Sequence, residues 1–242
     1  MIFIPLARFG VDFSDPLLWA VFIGWIMSVV LHEFAHGIVA HFGGDYTIRE
    51  RGGLTLNPLQ YIDPIFSLLI PAVIFLAGGI PLPGGVTYIR RDLIRTRAWQ
   101  VATSAAGPAM NFLLFLICAL PFHPKLGWID PDLVGGANAS NLHLFLGTMA
   151  LVQLVSVLFN LVPVPPLDGF QIIAEFMDDH MREKFQAAGQ TLFFVFFILV
   201  WQVPQVGTAF FNGAVNIMRF LGFGNDAILF FLQSFQRVLF GS

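Results

Sequence analysis

A chain of 242 residues with 57% hydrophobic side chains, 11% charged ones and a mean hydropathy of +0.77 lacks the polar surface that a water-soluble domain needs, since such domains carry about 25% charged residues. Its net charge of −3 is spread thinly, which argues against a nucleic-acid partner, and its one cysteine, Cys118, excludes a disulfide framework or a thiolate metal site. The composition predicts an all-α polytopic membrane protein in contact with the lipid bilayer.

In chain order, the first stretch carries only Arg8 before the polar break Asp12 to Asp15 and is expected to be a short anchor rather than a removed signal peptide. Leu17 to Phe42 is long enough to cross a bilayer, which takes about 20 apolar residues. Within it, His32-Glu33-Phe-Ala-His36 spells H-E-x-x-H. Two imidazoles four apart share one helix face and can bind one zinc ion, while the adjacent glutamate can take a proton from water. A lone carboxylate within membrane-grade sequence is costly and marks a site by default. A third ligand is still needed. His41 is offset from the His32/His36 face, and Glu50 lies among arginines in the polar stretch Asp45 to Arg51.

Ile65 to Leu82 is shorter and is broken by Pro71, Gly78 and Gly79, which favours a re-entrant segment. Gly84 to Ile89 is led by glycine and rich in β-formers. It reads as a small re-entrant β-loop with a free edge, or as an interfacial loop. An extended peptide could add to such an edge by main-chain pairing, which makes Gly84, Gly85, Val86 and Thr87 candidate substrate contacts. The following loop, with Arg90, Arg91, Arg95 and Arg97, is the densest positive cluster and is expected on the cytoplasmic side.

Trp99 to Leu120 and Leu142 to Val162 are further spans. Asn111 and Asn160 stand in otherwise apolar helices, where each could donate to a substrate carbonyl or bond another helix. After Asn160, the run Leu-Val-Pro-Val-Pro-Pro-Leu-Asp168-Gly169 holds three prolines, so the chain must be unwound near Asp168. Asp168 is the strongest third-ligand candidate. Two histidines and a carboxylate would leave the fourth zinc position open, as in catalytic sites. Asp178 to Gln190 is expected to be a solvated helix, and Thr191 to Val203 is short and Phe-rich. Val206 to Leu221 and Ala227 to Phe240 form a final hairpin or lie at the interface. The total is about five to seven hydrophobic segments in one domain over 1–242, with a catalytic core over about 17–175 and C-terminal helices over about 176–242.

His32-Glu33-Phe-Ala-His36-Gly37, Ala106-Gly107-Pro108-Ala109-Met110-Asn111 and the approach from Asn160 to Asp168-Gly169 occur together and in order. In this the chain resembles the site-2 protease family of intramembrane zinc metalloproteases, in particular compact prokaryotic members without a PDZ or nucleotide-sensing domain. The resemblance implies one zinc ion held by His32, His36 and Asp168, with Glu33 activating water. It implies peptide-bond hydrolysis in or beside the membrane, on single-span membrane proteins or signal-peptide remnants already trimmed by another protease. A multi-pass protein of a prokaryotic cell membrane is expected, and the Arg-rich loop puts the site toward the cytoplasm. The alternative is a non-proteolytic zinc-binding protein that holds membrane clients; the intact Glu33 argues against it. Nothing in the sequence indicates an oligomeric state.

Overall fold

The computed structural model describes residues 14–63, 85–131 and 139–240. The short anchor expected at the N-terminus, the segment Ile65 to Leu82 and Gly84 lie outside the described residues.

Helix α1 (Pro16–Gly43) begins where Asp15 Oδ1 accepts the Leu17 N–H at 2.8 Å. With proline as its first residue, this is a start that needs no donor from that position. It ends in a paired closure, Gly44 N–H to His41 O at 3.2 Å and Asp45 N–H to Ala40 O at 3.0 Å, with Gly44 at φ 128°. That is the glycine stop that satisfies the last carbonyls of a helix. The short α2 (Thr47–Glu50) follows, then single turns at Pro58–Gln60 and Arg91–Leu93. Next come α3 (Arg97–Ala119), extended by a turn at Leu120–Phe122, and α4 (Asn141–Asn160), whose His143 N–H is capped by Ser140 Oγ at 3.3 Å. The C-terminal part holds α5 (Asp168–Ala174), α6 (Asp179–Ala187), α7 (Gly189–Gln202), α8 (Pro204–Phe220) and α9 (Asn225–Phe240).

Three of these helices are long and apolar enough to cross a membrane: Pro16–Gly43, Arg97–Phe122 and Asn141–Asn160. Among the described residues, a fourth span arises only if α6 and α7, bent by 61°, are joined. The 14 residues of α7 rise only about 21 Å against a hydrocarbon core of about 30 Å. The described residues contain helix and no strand, so the architecture is all-α, as the composition predicts. Residues 85–90 are neither helix nor strand, and the remainder of the expected β-loop falls among the undescribed residues.

The chain forms two compact units. One takes the described residues of 1–26, 112–155 and 208–242. Its core is aromatic: Phe122 meets Phe230 and Phe231 at ring distances of 5.1 and 5.4 Å, and Phe115 meets Phe223 at 5.9 Å. His123 accepts the Lys125 and Leu126 N–H groups on Nδ1 and donates through Nε2 to Leu221 O at 3.2 Å. It serves the fold there and no ligand role. The other unit takes the described residues of 27–111 and 156–207 and carries the H-E-x-x-H motif, the prolines and Asp168. Leu167 and Phe193 pack there with Phe159, Val162 and Val164, and Ala40, Ile48 and Ile94 pack with Leu54 and Ile89.

Candidate metal centre

Three chain segments build the site. The buried middle of α1 supplies His32, Glu33 and His36. The segment 161–167 is unwound, as its prolines require, and includes a cis Pro165–Pro166 bond. The chain resumes helix at Asp168 itself, the first residue of α5. The unwinding expected near Asp168 thus stops just short of it, and the helix that follows is too short, at seven residues, to show a hydrophobic period in the sequence. Gly169 permits that restart, since a side chain there would meet the Leu161 carbonyl. The third segment is α3, which contributes Thr103, Gly107 and Asn111.

The three candidate ligands converge. His32 Nε2 and His36 Nε2 are 3.1 Å apart, and Asp168 reaches them with Oδ2 at 3.2 Å and Oδ1 at 3.3 Å respectively. Donors about 2.0 to 2.2 Å from a tetrahedral zinc stand roughly 3.3 Å or a little more from each other, so these separations suit one ion. The opposite nitrogens settle the tautomers. His36 Nδ1 is 2.6 Å from the Thr103 carbonyl, which can only accept, so Nδ1 donates there and Nε2 is the nitrogen left to offer a lone pair to a metal ion. His32 Nδ1 donates to Asn111 Oδ1, which leaves the Nε2 of His32 in the same state. The buried Asp168 Oδ2 has no hydrogen bond. Two imidazole nitrogens and a carboxylate pointing at one spot need a metal ion or a proton between them. The donor set and its outer partners are those of a zinc site.

Gly107 keeps that spot open. A side chain at this position would fall on Nε2 of both histidines. Pro108, inside α3, denies an N–H to the Ser104 carbonyl and so loosens the helix beside Thr103, whose own carbonyl is turned to His36.

Glu33 is buried. Thr87 Oγ1 donates to the Glu33 backbone carbonyl at 3.1 Å, and a side chain at Gly85 would lie 2.9 Å from Glu33 Cγ. Of the sequence-predicted substrate contacts, Gly85 and Thr87 therefore lie over the glutamate, Val86 is tied by its N–H to Tyr61 O at 3.0 Å, and Gly84 is outside the described residues. Asn111 is buried against His32, a helix-to-helix bond in the sense that the sequence left open. Asn160 ends α4, half-buried, and no hydrogen bond reaches its side chain among the described residues. His41 stays outside the cluster, in edge contact with Tyr46, and Glu50 is exposed. Sequence reasoning missed Thr103, which acts through its backbone and has no side-chain signal. It also missed Tyr61, which was hidden in an unassigned loop.

An imidazole pair, a carboxylate and an adjacent buried glutamate define a metal-dependent hydrolase. The comparisons agree with that class. The family model of peptidase family M50 matches residues 126–201, which include Asp168 and its prolines. The "Putative zinc metalloprotease Rip2" of Mycolicibacterium smegmatis is 34% identical over 86% of this chain and 78% of its own. The protein of that name from Mycobacterium tuberculosis is 31% identical over 86% and 78%. The "Putative zinc metalloprotease YwhC" of Bacillus subtilis is 31% identical over 88% of this chain and 91% of its own. No solved structure matches. The chain belongs to peptidase family M50, the site-2 proteases, and is a membrane-embedded zinc metalloprotease.

Proposed function

We propose that the protein is an intramembrane zinc endopeptidase that cuts within or beside transmembrane segments of single-span membrane proteins or signal-peptide remnants, after another protease has trimmed them. His32, His36 and Asp168 hold the zinc, which when bound polarises the scissile carbonyl and lowers the pKa of water. Glu33 takes the proton from the attacking water and passes it to the leaving nitrogen. Helix α3 excludes bulk from the centre through Gly107, and Asn111 orients His32. Asn160, at the mouth of the unwound segment, is available to a substrate carbonyl.

The observation that carries this reading is the hydrogen bonding of residues 85–90 above Glu33. Val86 N–H is bonded to Tyr61 O at 3.0 Å, Tyr88 O accepts from Arg51 at 3.1 Å, and Arg90 N–H reaches Asp45 Oδ2 at 2.8 Å. Bonds at every second residue are the pattern of an extended chain with one edge occupied. The intervening groups of Thr87 and Ile89 have no backbone partner among the described residues. A helix must unwind before its peptide bonds can be attacked, and its freed N–H and C=O groups need partners inside the bilayer. The Thr87/Ile89 edge supplies them, by the strand-addition mode.

This reading carries with it the finer expectations: five to seven segments, a re-entrant β-loop completed by residues before Gly85, multi-pass insertion in a prokaryotic membrane, and a cytoplasmic-side site below the Arg90–Arg97 cluster. The test is cleavage of a panel of single-span substrates, full-length and pre-trimmed, by purified wild type and Glu33→Gln at matched zinc content. Cleavage of trimmed substrates by wild type alone, lost with a chelator, is expected. Equal binding of clients without any product from the zinc-loaded wild type would overturn it.

A further inference from the structure

Helix α5 has only seven residues and begins with the ligand Asp168. So short a helix has little stability or fixed direction of its own, so whatever holds its far end aims the carboxylate. At that end, Glu175 is 7% exposed and accepts from Arg91 Nη1 at 3.2 Å. The Gln100 amide, with its nitrogen turned to Glu175, donates to both carboxylate oxygens at 2.7 Å. Arg91 also donates through Nη2 to Ser104 Oγ at 2.9 Å. Ser104 adjoins Thr103, whose carbonyl fixes His36, and Arg91 directly follows the segment 85–90. The guanidinium thus joins three parts of the site without touching the ligands. Around this end, Arg97 stacks on Phe176 at 5.7 Å, and Arg182 donates to Ala174 O at 3.0 Å.

We propose that Arg91 and Glu175 are a positioning pair for zinc: a tie between α3 and α5 that sets the Asp168 carboxylate against the imidazoles of His32 and His36. A partly buried ion pair adds little stability over apolar residues of the same size, but it holds a direction that apolar packing does not. Burial lowers the Arg91 pKa from its ordinary value, while attraction from Glu175 and Asp168 opposes that shift. The charge is therefore retained and faces the ligand favourably. The role rests on the reading of Asp168 as the third ligand.

The experiment measures zinc dissociation constants by chelator competition on the full chain in detergent, together with the melting temperature of the zinc-stripped protein. Wild type is compared with Arg91→Met/Glu175→Leu, Glu175→Gln, Arg91→Lys and Asp168→Ala. Removing partners that orient ligands typically weakens metal binding about 10- to 100-fold, and one step further out the double variant is expected near about ten-fold. Its zinc-free melting temperature should stay within a few degrees of wild type, with Arg91→Lys intermediate in affinity. If the double variant does not fold, Glu175→Gln, which keeps the shape and drops the charge, gives the same readout. Zinc affinity within about two-fold of wild type in a folded variant would overturn the pair while Asp168→Ala still loses zinc. Zinc unchanged in Asp168→Ala would overturn the ligand reading and the pair with it.

Discussion

Gly107 is where the centre is most sensitive to a single atom. Its missing side chain is the space between the histidines, and a Cβ there would also stand 2.5 Å from His32 Cε1. Those groups cannot yield, because Asn111 and the Thr103 carbonyl hold both rings from behind. Gly107→Ala is therefore expected to abolish zinc binding while α3 persists, since alanine is the better helix former. Metal analysis alongside circular dichroism checks this; full zinc content in the variant would refute the placement. Glu33→Gln acts differently, because Glu33 is not among the converging ligands. It should keep its zinc and lose at least about a hundred-fold in rate, the lower range for a positioned base.

At the scale of elements, residues 85–90 are pinned by one backbone edge among the described residues. Asp45, fully buried just past the end of α1, binds Arg90 N–H and Thr47, and Arg51 spans from α2's end to Tyr88 O. The anchor of the segment above Glu33 thus lies two residues beyond the helix that carries Glu33. Thr87→Val removes only the hydroxyl bonded to Glu33 O, whereas Thr87→Pro also removes an N–H from the free edge. The valine variant should cleave within a few-fold of wild type, and the proline variant should lose cleavage with its zinc retained. Equal activity of the two would exclude main-chain pairing at Thr87.

For the whole molecule, the cluster couples metal to fold. Acceptors from α1 and α5, distant in sequence, are brought within 3.3 Å of one another in a buried place. A zinc ion held among them can bind only the folded chain. Ligand binding to the native state adds about 2.7 kcal/mol at a hundred times Kd. Chelator should thus lower the melting temperature by several degrees and zinc should restore it, while magnesium, which prefers oxygen donors, should not. A melting curve indifferent to chelator would count against the site.

Much of this was legible in the order of residues. Local chemistry determines the helices: a proline start and a glycine stop place α1 within a residue of the expected Leu17 to Phe42, and three prolines unwind the chain before Asp168. The histidine spacing determines that two ligands share a face, because the helical period is a property of the backbone. What the sequence could not determine was which carbonyl takes the His36 proton, that Gly107 is a void rather than a hinge, or that α5 restarts at the ligand. Nor does it reveal that Arg91 meets Glu175. Those are contacts between residues remote in sequence, set by how helices lie against one another, and no local pattern encodes a distance across a packed core. The His32–His36 pair was written in four residues; the third ligand became one only when tertiary packing brought Asp168 to it.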